Sequence, residues 1–190
     1  MNEIGNGSGT SMEEVSGKVQ LASSYLHNAI KVYPEYNDAW LNLGIIQYQF
    51  FSRKDSALIC FSQVDTTDRF IYARAREYLG DIAYNDLKNK EQAKAYYLQG
   101  FRYMPERNIL YQKITKLLFE TMRYDSIIVF SDRGIKNNFP EAYLDKANAF
   151  VFLKDTISAI PYYNKALENG YSGPLLINLK EYYQNHKNDK

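Results

Sequence analysis

The chain has 190 residues, of which 45% are hydrophobic and 24% charged, and it includes 18 tyrosines and 10 phenylalanines. This composition excludes the disordered class and predicts a folded protein with a substantial core. The 23 basic residues balance the 22 acidic ones, without the basic stripe that binding to phosphates requires, so we predict no nucleic-acid partner.

The sequence contains no pattern for targeting or membrane insertion. Residues 1–17 have neither a basic start nor an apolar run of signal-peptide length, and no stretch reaches the roughly 18 apolar residues of a membrane helix. The single cysteine, Cys60, excludes an intramolecular disulfide and is compatible with cytoplasm or periplasm. We predict a soluble protein, with the cytoplasm favoured and the periplasm as the alternative if a signal peptide was removed.

Helical periodicity dominates the chain from residue 14 onward, and no segment has the alternation of a strand. The predicted helices span residues 14–33, 37–51, 55–66, 70–87, 90–103, 106–121, 124–137, 140–153, 156–169 and 174–186. Helices end before three prolines because the preceding residue disfavours the α region, namely Pro34, Pro105 and Pro140. Side-chain caps are predicted at three helix starts, namely Asp55, Asn89 and Asp155. Pro161 falls early in its helix, where a lost N–H bond costs least, so we expect that helix to persist.

Two patterns repeat along the chain. In the first, a small residue is followed by a large one at +4 and another small one at +7, on one helical face. Its copies begin at Ala22, Ala57, Ala93 and Ala159, and a weaker copy begins at Ile127, with Phe130 beside the expected place of the large residue. They are separated by 35, 36, 34 and 32 residues, close to the roughly 34 of a helix-turn-helix repeat. A second pattern precedes the last four copies and begins at Trp40, Arg76, Tyr111 and Tyr143. Each repeat therefore contains two helices.

These residues resemble the signature of the tetratricopeptide repeat. The resemblance is carried by Trp40, Leu43, Gly44, Ala57 and Phe61, with Pro34 or Pro105 at repeat ends. It covers residues 17–172 in about four to five degenerate copies and implies an all-α, right-handed α-solenoid of stacked antiparallel helical hairpins. Three positions depart from the signature: Arg76 replaces the aromatic, Lys146 the leucine and Arg69 the repeat-ending proline.

The phase of the repeats gives expected boundaries for a single solenoid over residues 12–186. We expect a disordered segment 1–11, a half repeat 12–36, repeats 37–69, 70–105, 106–139 and 140–172, a capping helix 173–186 and a frayed tail 187–190. The run of Gly, Ser, Asn and Thr in residues 5–11 has little to bury. Gly17 is expected to begin the turn before the second helix of the half repeat. Leu175, Leu176, Leu179 and Tyr183 share one face of the capping helix.

Small residues are expected to let the two helices of a hairpin approach closely. Gly44 and Gly80 lie on first helices, and Ala57 and Ala93 lie on the second helices that follow them. The aromatic residue of each second helix then fills the space towards the next hairpin. Enlarging one of the small residues should overpack the contact, at a cost of about 1–3 kcal/mol.

No catalytic, metal or cofactor site is predicted. His27 and His186 lie at opposite ends of the chain and are interpreted as surface or packing residues. Cys60 is interpreted as a packing residue beside Phe61. The sequence contains no phosphate loop, HExxH, CxxC or GxSxG motif, so we predict that the protein is not an enzyme.

If the family resemblance holds, partners bind in a concave groove lined by the first helix of each hairpin. The residues carried over to this groove are Leu41, Ile45, Tyr48, Arg74, Glu77, Asp81, Tyr84, Gln112, Lys116, Phe119, Asn148 and Phe152. Tyr48, Tyr84 and Phe119 recur at one repeat position, either as an aromatic ladder along the groove or as packing between repeats. Family members that capture terminal carboxylates use an asparagine where this chain has Ile45 and Asp81, which argues against that mode.

Two functions follow as hypotheses. The first is a non-enzymatic adaptor that binds a peptide or helix of another protein in the concave groove. The second is a structural spacer or regulatory repeat segment of a larger receptor, sensor or assembly protein. The partner's identity and the oligomeric state do not follow from the residues.

Overall fold

A computed structural model describes residues 12–171 of the chain, and every regular element within that range is a helix. The elements are α1 (Met12–Val32), α2 (Asn37–Ile45) with a π-helical continuation (Ile46–Phe50), α3 (Lys54–Gln63), α4 (Arg69–Asn85), α5 (Lys90–Tyr103), α6 (Asn108–Glu120), α7 (Tyr124–Lys136), α8 (Glu141–Phe152) and α9 (Thr156–Glu168). The nine helices predicted between residues 14 and 169 correspond to these elements, with ends that agree within three residues. The predicted disordered segment 1–11, helix 173–186 and tail 187–190 lie outside the described residues.

The chain divides into two compact units, Met1–Tyr103 and Met104–Lys190. In the first unit α1 packs on α2, α2 on α3 and α4 on α5, and α3 contacts α4. In the second unit α6 packs on α7, α7 on α8 and α8 on α9. The predicted all-α fold of repeated helical hairpins is confirmed, and the expected repeat boundaries remain predictions.

The ring of Phe61 explains why position 44 is a glycine. Phe61 is fully buried on α3, and a Cβ at Gly44 of the same hairpin would overlap its ring. The ring also stacks on Tyr78 of the next hairpin, with centroids 5.0 Å apart. Gly80 stands in the same relation to the ring of Tyr97. Both glycines therefore make room for an aromatic ring from the second helix of their own hairpin.

Tyr111 fills the corresponding place in the second unit. Its side chain is fully buried, and its ring stacks on Phe130 with centroids 5.4 Å apart. A Cβ at Gly134 would overlap both this ring and the methyl group of Ala142. The centre of this unit therefore has no room for a larger residue at position 134.

Two of the three departures from the repeat signature, Arg76 and Lys146, are accommodated by aromatic or acidic neighbours. The Arg76 guanidinium lies 4.4 Å from the centroid of the Tyr72 ring. The Lys146 ammonium lies 2.5 Å from Asp132 Oδ1 and 4.3 Å from the centroid of the Tyr162 ring. The Lys146 ammonium is thus paired with a carboxylate, whereas the Arg76 guanidinium lies on an aromatic ring and its buried Nε has no hydrogen-bond partner.

The third departure, Arg69, lies beside a hydrogen-bonded junction between hairpins. Asn37 is buried at the start of α2, and its Nδ2 donates to Asp65 Oδ1 at 2.7 Å and to Thr67 Oγ1 at 2.9 Å. The amide of Asp65 donates back to Asn37 Oδ1 at 3.0 Å. These bonds fix the loop that enters α4 without a proline.

The turns inside the hairpins share a left-handed residue that is not glycine. These residues are Ser52, Lys88, Met122 and Lys154, with φ of 52°, 54°, 53° and 62°. The amide of the next residue closes each turn by donating to a carbonyl of the preceding helix. This geometry ends each first helix and reverses the direction of the chain, so that the second helix can pack antiparallel to the first.

Two of the three predicted caps are confirmed. Asn89 Oδ1 accepts from the Gln92 amide at 3.0 Å, and Asp155 Oδ1 accepts from the Ser158 amide at 3.1 Å. The prediction for Asp55 was wrong, because α3 begins at Lys54 and places Asp55 inside its first turn.

An unpredicted cap, Asp68, accepts from the first amides of α4. Helix α9 runs through Pro161 as predicted. The turn expected at Gly17 was wrong, since α1 continues through it with open space around the glycine.

Candidate protein-binding surface

The predicted groove residues of the first unit lie on α2, its π-helical continuation and α4. We call these residues, with their counterparts on α6 and α8, the first-helix surface. Leu41 is 1% exposed and packs in the core, so a partner does not reach it. Ile45 and Tyr48 are half-buried against the same core. The predicted groove residues on α4 are also half-buried and form one stripe of that helix, namely Arg74, Glu77, Asp81 and Tyr84.

The hydroxyl of Tyr48 is held by a charged pair. Tyr48 Oη donates to Asp86 Oδ2 at 2.9 Å, and the other carboxylate oxygen lies 2.5 Å from Lys54 Nζ. Burial, followed by the bond to Asp86, raises the pKa of Tyr48 to about 12. The hydrogen bond from Lys54 lowers the pKa of Asp86 below its ordinary value. The ring of Tyr48 is therefore oriented before any partner binds.

Asp81 has a structural contact in addition to its predicted place in the groove. The buried Tyr97 donates its hydroxyl to Asp81 Oδ1 at 2.7 Å. Burial and this bond raise the pKa of Tyr97, and the nearby Glu77 and Tyr84 add to the shift. These three residues of α4 therefore lie together around the Tyr97 hydroxyl.

The π-helical segment Ile46–Phe50 was missed by sequence analysis. The Phe51 amide donates to the Ile46 carbonyl at 3.2 Å, five residues back instead of four. Gln47 is buried within the segment, and its Oε1 has no hydrogen-bond partner. No glycine or proline occurs between residues 45 and 51, so no sequence signal identified the change of pitch. Such segments often occur at functional sites.

In the second unit, residues of the neighbouring first helices α6 and α8 contact each other. Gln112 of α6 donates through Nε2 to Glu141 Oε1 of α8 at 3.0 Å. Lys116 is exposed on α6 and lies 4.0 Å from Glu120. Asn148 is buried on α8, and its Oδ1 has no hydrogen-bond partner.

Three aromatic rings lie together at one end of this part of the first-helix surface, namely those of Phe119, Tyr124 and Phe152. Phe119 and Phe152 meet edge to face with centroids 6.2 Å apart, and Tyr124 stacks on Phe152 at 4.8 Å. Phe152 remains 46% exposed. The rings are thus packed on one another and open to solvent on one side.

The predicted aromatic ladder is divided between the two units. Tyr48 and Tyr84 belong to the first unit, and Phe119 belongs to the second. All three rings are half-buried. Each contributes both to packing and to the surface, and the ladder itself remains a prediction.

A half-buried carboxylate that sequence analysis did not single out, that of Asp145, lies beside Tyr111. The Tyr111 hydroxyl donates to Asp145 Oδ2 at 2.9 Å and lies 3.4 Å from Ser131 Oγ. Burial raises the pKa of Asp145 to about 6, the bond from Tyr111 opposes this rise, and the charge of Glu141 adds to it. Glu141 is four residues away on the same helix, whereas Tyr111 is 34 residues away and only the fold brings it to Asp145.

Two of the residues considered for metal binding or catalysis, His27 and Cys60, lie where packing residues are expected. His27 Nδ1 lies 2.8 Å from the Ser23 carbonyl oxygen, within α1. Cys60 is buried, and burial raises the pKa of its thiol to about 11. His186 lies outside the described residues.

Between residues 12 and 171 no group of three His, Cys, Asp or Glu side chains could hold a metal ion. Over the same range, no helix combines the length and the apolar character needed to span a bilayer.

Comparisons with known proteins agree on one fold. The tetratricopeptide repeat family matches residues 140–169, and no curated protein sequence matches the chain significantly. The MamA protein is 20% identical with a TM-score of 0.59, over 82% of this chain and 85% of that one. PilF of Pseudomonas aeruginosa is 17% identical with a TM-score of 0.61, over 90% and 80% of the two chains.

A third solved structure, YrrB, is 10% identical with a TM-score of 0.60, over 88% of this chain and 86% of that one. YrrB is described as a tetratricopeptide repeat protein with an unusual peptide-binding site. The resemblance to the tetratricopeptide repeat is therefore confirmed for residues 140–169, and the chain shares the fold of these three solved structures.

Proposed function

We propose that the chain is a non-enzymatic interaction module that binds a peptide or helix of a partner protein on its first-helix surface. The observation that carries the proposal is the contact between the neighbouring first helices α6 and α8. Gln112 meets Glu141 and Phe119 meets Phe152, so the two helices present one strip with hydrogen-bonding groups at one end and rings at the other.

This strip has the composition of a binding site. Rigid aromatic rings flanked by hydrogen-bonding groups are the usual anchors of protein interfaces. Phe152 is partly exposed and already held by Tyr124, so binding does not have to immobilise it. In the first unit, the Asp86 bond orients Tyr48 in the same way. The peptide-binding site described for YrrB supports the proposal by analogy only.

The proposal is tested with peptides selected from a displayed random library on the full chain. Binding of the selected peptides is then measured for Phe152→Ala, Lys116→Ala and Tyr84→Ala. A peptide on the second unit should bind about tenfold more weakly to Phe152→Ala, or about 1.4 kcal/mol. A peptide on the first unit should lose comparable affinity with Tyr84→Ala.

Matched controls come from α7, which forms a hairpin with α6. Val129 and Lys136 are exposed there, so Val129→Ala and Lys136→Ala should leave affinity within about twofold. The proposal fails if the controls weaken binding as much as the three test variants, or if no test variant changes it while circular dichroism shows that all are folded.

A further inference from the structure

Helix α8 places an acidic segment between the two ends of the strip that it forms with α6. Glu141, Asp145, Asn148 and Phe152 follow one another in steps of four, three and four residues, so they share one face of the helix. Glu141 accepts a hydrogen bond from Gln112 at one end of the strip, and Phe152 lies among the rings at the other. Asp145 and Asn148 therefore lie in the middle of the strip.

Within the described residues, the two carboxylates of this segment receive hydrogen bonds from neutral groups. Glu141 is 7% exposed and Asp145 is half-buried. Their donors are the amide of Gln112 and the hydroxyl of Tyr111, and no ion pair between residues 12 and 171 includes either carboxylate. A carboxylate taken out of water without a counter-charge is costly, and a cation from a partner would relieve this cost.

Two lysines on the same helices lie beside other carboxylates. Lys146 lies 2.5 Å from Asp132 of α7, and Lys116 lies 4.0 Å from Glu120 of its own helix. The balance of charge at Asp145 is negative, since burial raises the pKa of its carboxyl and the charge of the other carboxylate of the segment raises it further. The lysines of the chain therefore leave the acidic segment uncompensated.

Asn148 contributes an acceptor that no described residue satisfies. The residue is 7% exposed, and its Oδ1 is buried without a hydrogen-bond partner. It lies one turn beyond Asp145 on the same face of α8. Buried acceptors are paired in the great majority of native structures, so this oxygen is available to a donor that comes from outside the chain.

An exposed aromatic side chain lies near the same two carboxylates. Tyr171 follows α9 and is 38% exposed. Burial raises the pKa of its hydroxyl, and the charges of Glu141 and Asp145 raise it further, which places the hydroxyl close to both. A ring beside carboxylates suits a cation on an apolar stem, because the stem packs on the ring while the charge meets the oxygens.

We infer that the middle of this strip binds a lysine or arginine side chain of a basic partner peptide, while an apolar residue of the same peptide packs on the rings of Phe119 and Phe152. The site rests on the proposed function and defines the chemistry of its partner. The cation offers donors to the acceptors of the segment and balances their charge. Because the chain has a formal net charge of +1, it does not attract basic peptides in general.

The distance between the two subsites sets the spacing in the peptide. Asp145 and Phe152 are seven residues apart on α8, which is about 10 Å along the helix axis. An extended peptide covers that distance in about three residues. The basic residue and the apolar residue of the partner should therefore be about three positions apart.

Peptides selected from the displayed random library on the full chain test this chemistry. Those that bind more weakly to Phe152→Ala occupy the strip, and they should be enriched in lysine or arginine at the expected spacing from an apolar residue. Replacing that basic residue by glutamine should weaken binding to the wild type at least about tenfold. Exchanging lysine and arginine should weaken it less, since the charge is kept.

Two variants of α8 remove one charge each while keeping the shape and the accepting oxygen, namely Asp145→Asn and Glu141→Gln. Both should weaken the strip peptides by about five- to tenfold. The loss caused by glutamine in the peptide should shrink on either variant, because the two changes remove the same interaction. Asp125→Asn makes the same change at an exposed position of α7 and should leave affinity within about twofold. Circular dichroism establishes that all three variants are folded.

The pH dependence of binding gives a second readout. The titratable and charged groups nearest to Asp145 come from each element packed on α8, namely Tyr111 of α6, Asp132 of α7 with its partner Lys146, Glu141 of α8 itself and Tyr171 after α9. Burial raises the pKa of Asp145 to about 6 in the free chain, and a bound cation favours its ionised form. Affinity for a peptide without histidine should therefore fall about fivefold between about pH 7.5 and about pH 5, as the carboxylate takes up a proton. On Asp145→Asn the change should be less than about twofold.

Strip peptides without a preference for a basic residue overturn the proposed cation site, and so do Asp145→Asn and Glu141→Gln variants that bind these peptides as tightly as the wild type. Equal weakening by Asp125→Asn also overturns it, since the attraction would then be a general one between opposite charges. The proposed function survives each of these results, because Phe152→Ala still weakens the peptides. If Phe152→Ala leaves every selected peptide unaffected, the strip is not a binding site, and the proposed function of the second unit fails together with the cation site.

Discussion

At the scale of single residues, Asp145 is the group whose ionisation opposes folding most directly. Its carboxylate is enclosed beside Tyr111, Ser131 and Glu141. Burial disfavours the charged form because water no longer solvates it, and the nearby Glu141 carboxylate disfavours it further. The Tyr111 hydroxyl donates to the carboxylate and offsets only part of this cost.

The pKa of Asp145 is raised from its ordinary value of 3.8 to about 6 in the folded chain. The folded state therefore holds the proton more tightly than the unfolded state. This contribution to stability is present below pH 3.8 and is lost as pH rises through about 6. Asp145→Asn keeps an oxygen that can accept from Tyr111 and has no charge to bury. We expect it to be more stable than the wild type at pH 7 by on the order of 1–3 kcal/mol, with the difference disappearing towards pH 4.

Urea unfolding followed by circular dichroism at several pH values between 4 and 7 measures this difference. Asp125→Asn is the control, because Asp125 is an exposed first-turn residue of α7 and its removal should not increase stability. A gain from Asp145→Asn that is the same at every pH, or a loss at pH 7, would contradict the assignment of a buried, destabilising charge.

At the scale of elements, the hairpin turns depart from what their residues prefer. A left-handed backbone costs an ordinary residue about 1–2 kcal/mol relative to the right-handed form, and glycine has no such cost. Four turns nevertheless use Ser, Lys, Met and Lys at this position. Packing of the helices on either side imposes the conformation on whichever residue occupies it.

Lys154 offers a direct measurement of this cost, since it is exposed and has φ of 62°. Lys154→Gly should relieve the strain, partly offset by the greater freedom of glycine in the unfolded chain. We expect a gain of about 0.5–1 kcal/mol, seen as an increase in the midpoint of thermal unfolding. Lys136→Gly makes the same change in the last residue of α7, where the backbone is right-handed, and should lose about 0.5–1 kcal/mol. If both variants change stability in the same direction, the turn is not strained.

At the scale of the whole molecule, the repeat pattern predicted the helices because it records packing within each hairpin. The rings of Phe61 and Tyr97 lie over Gly44 and Gly80, and this contact is visible in the sequence as a glycine at the same position of both repeats. The π-helical turn at Ile46–Phe50 is not visible in the sequence, since the helix gains one residue in that turn without a glycine or proline. The burial of Leu41 beneath the first-helix surface and the contact of Tyr111 with Asp145 depend on where neighbouring helices settle, which a periodic pattern does not specify.

The two compact units each have their own buried aromatic centre, at Phe61 in the first and Tyr111 in the second. In repeat proteins each hairpin is stabilised chiefly by its neighbours, so damage in one region need not spread equally through the chain. Trp40 is the only tryptophan of the chain and belongs to the first unit, where its Nε1 donates to the Pro34 carbonyl at 2.6 Å. Its fluorescence therefore reports on that unit, while circular dichroism averages over all helices.

Gly134→Val places a side chain against Tyr111 and Ala142 and should destabilise the second unit by about 1–3 kcal/mol. The urea midpoint seen by circular dichroism should then fall further than the midpoint seen by Trp40 fluorescence. Gly17→Ala is the control, because its Cβ meets open space within α1 and should instead raise stability slightly through helix propensity. If Gly134→Val lowers both urea midpoints equally, the two units unfold together. The stability of the Phe61 centre would then depend on the Tyr111 centre.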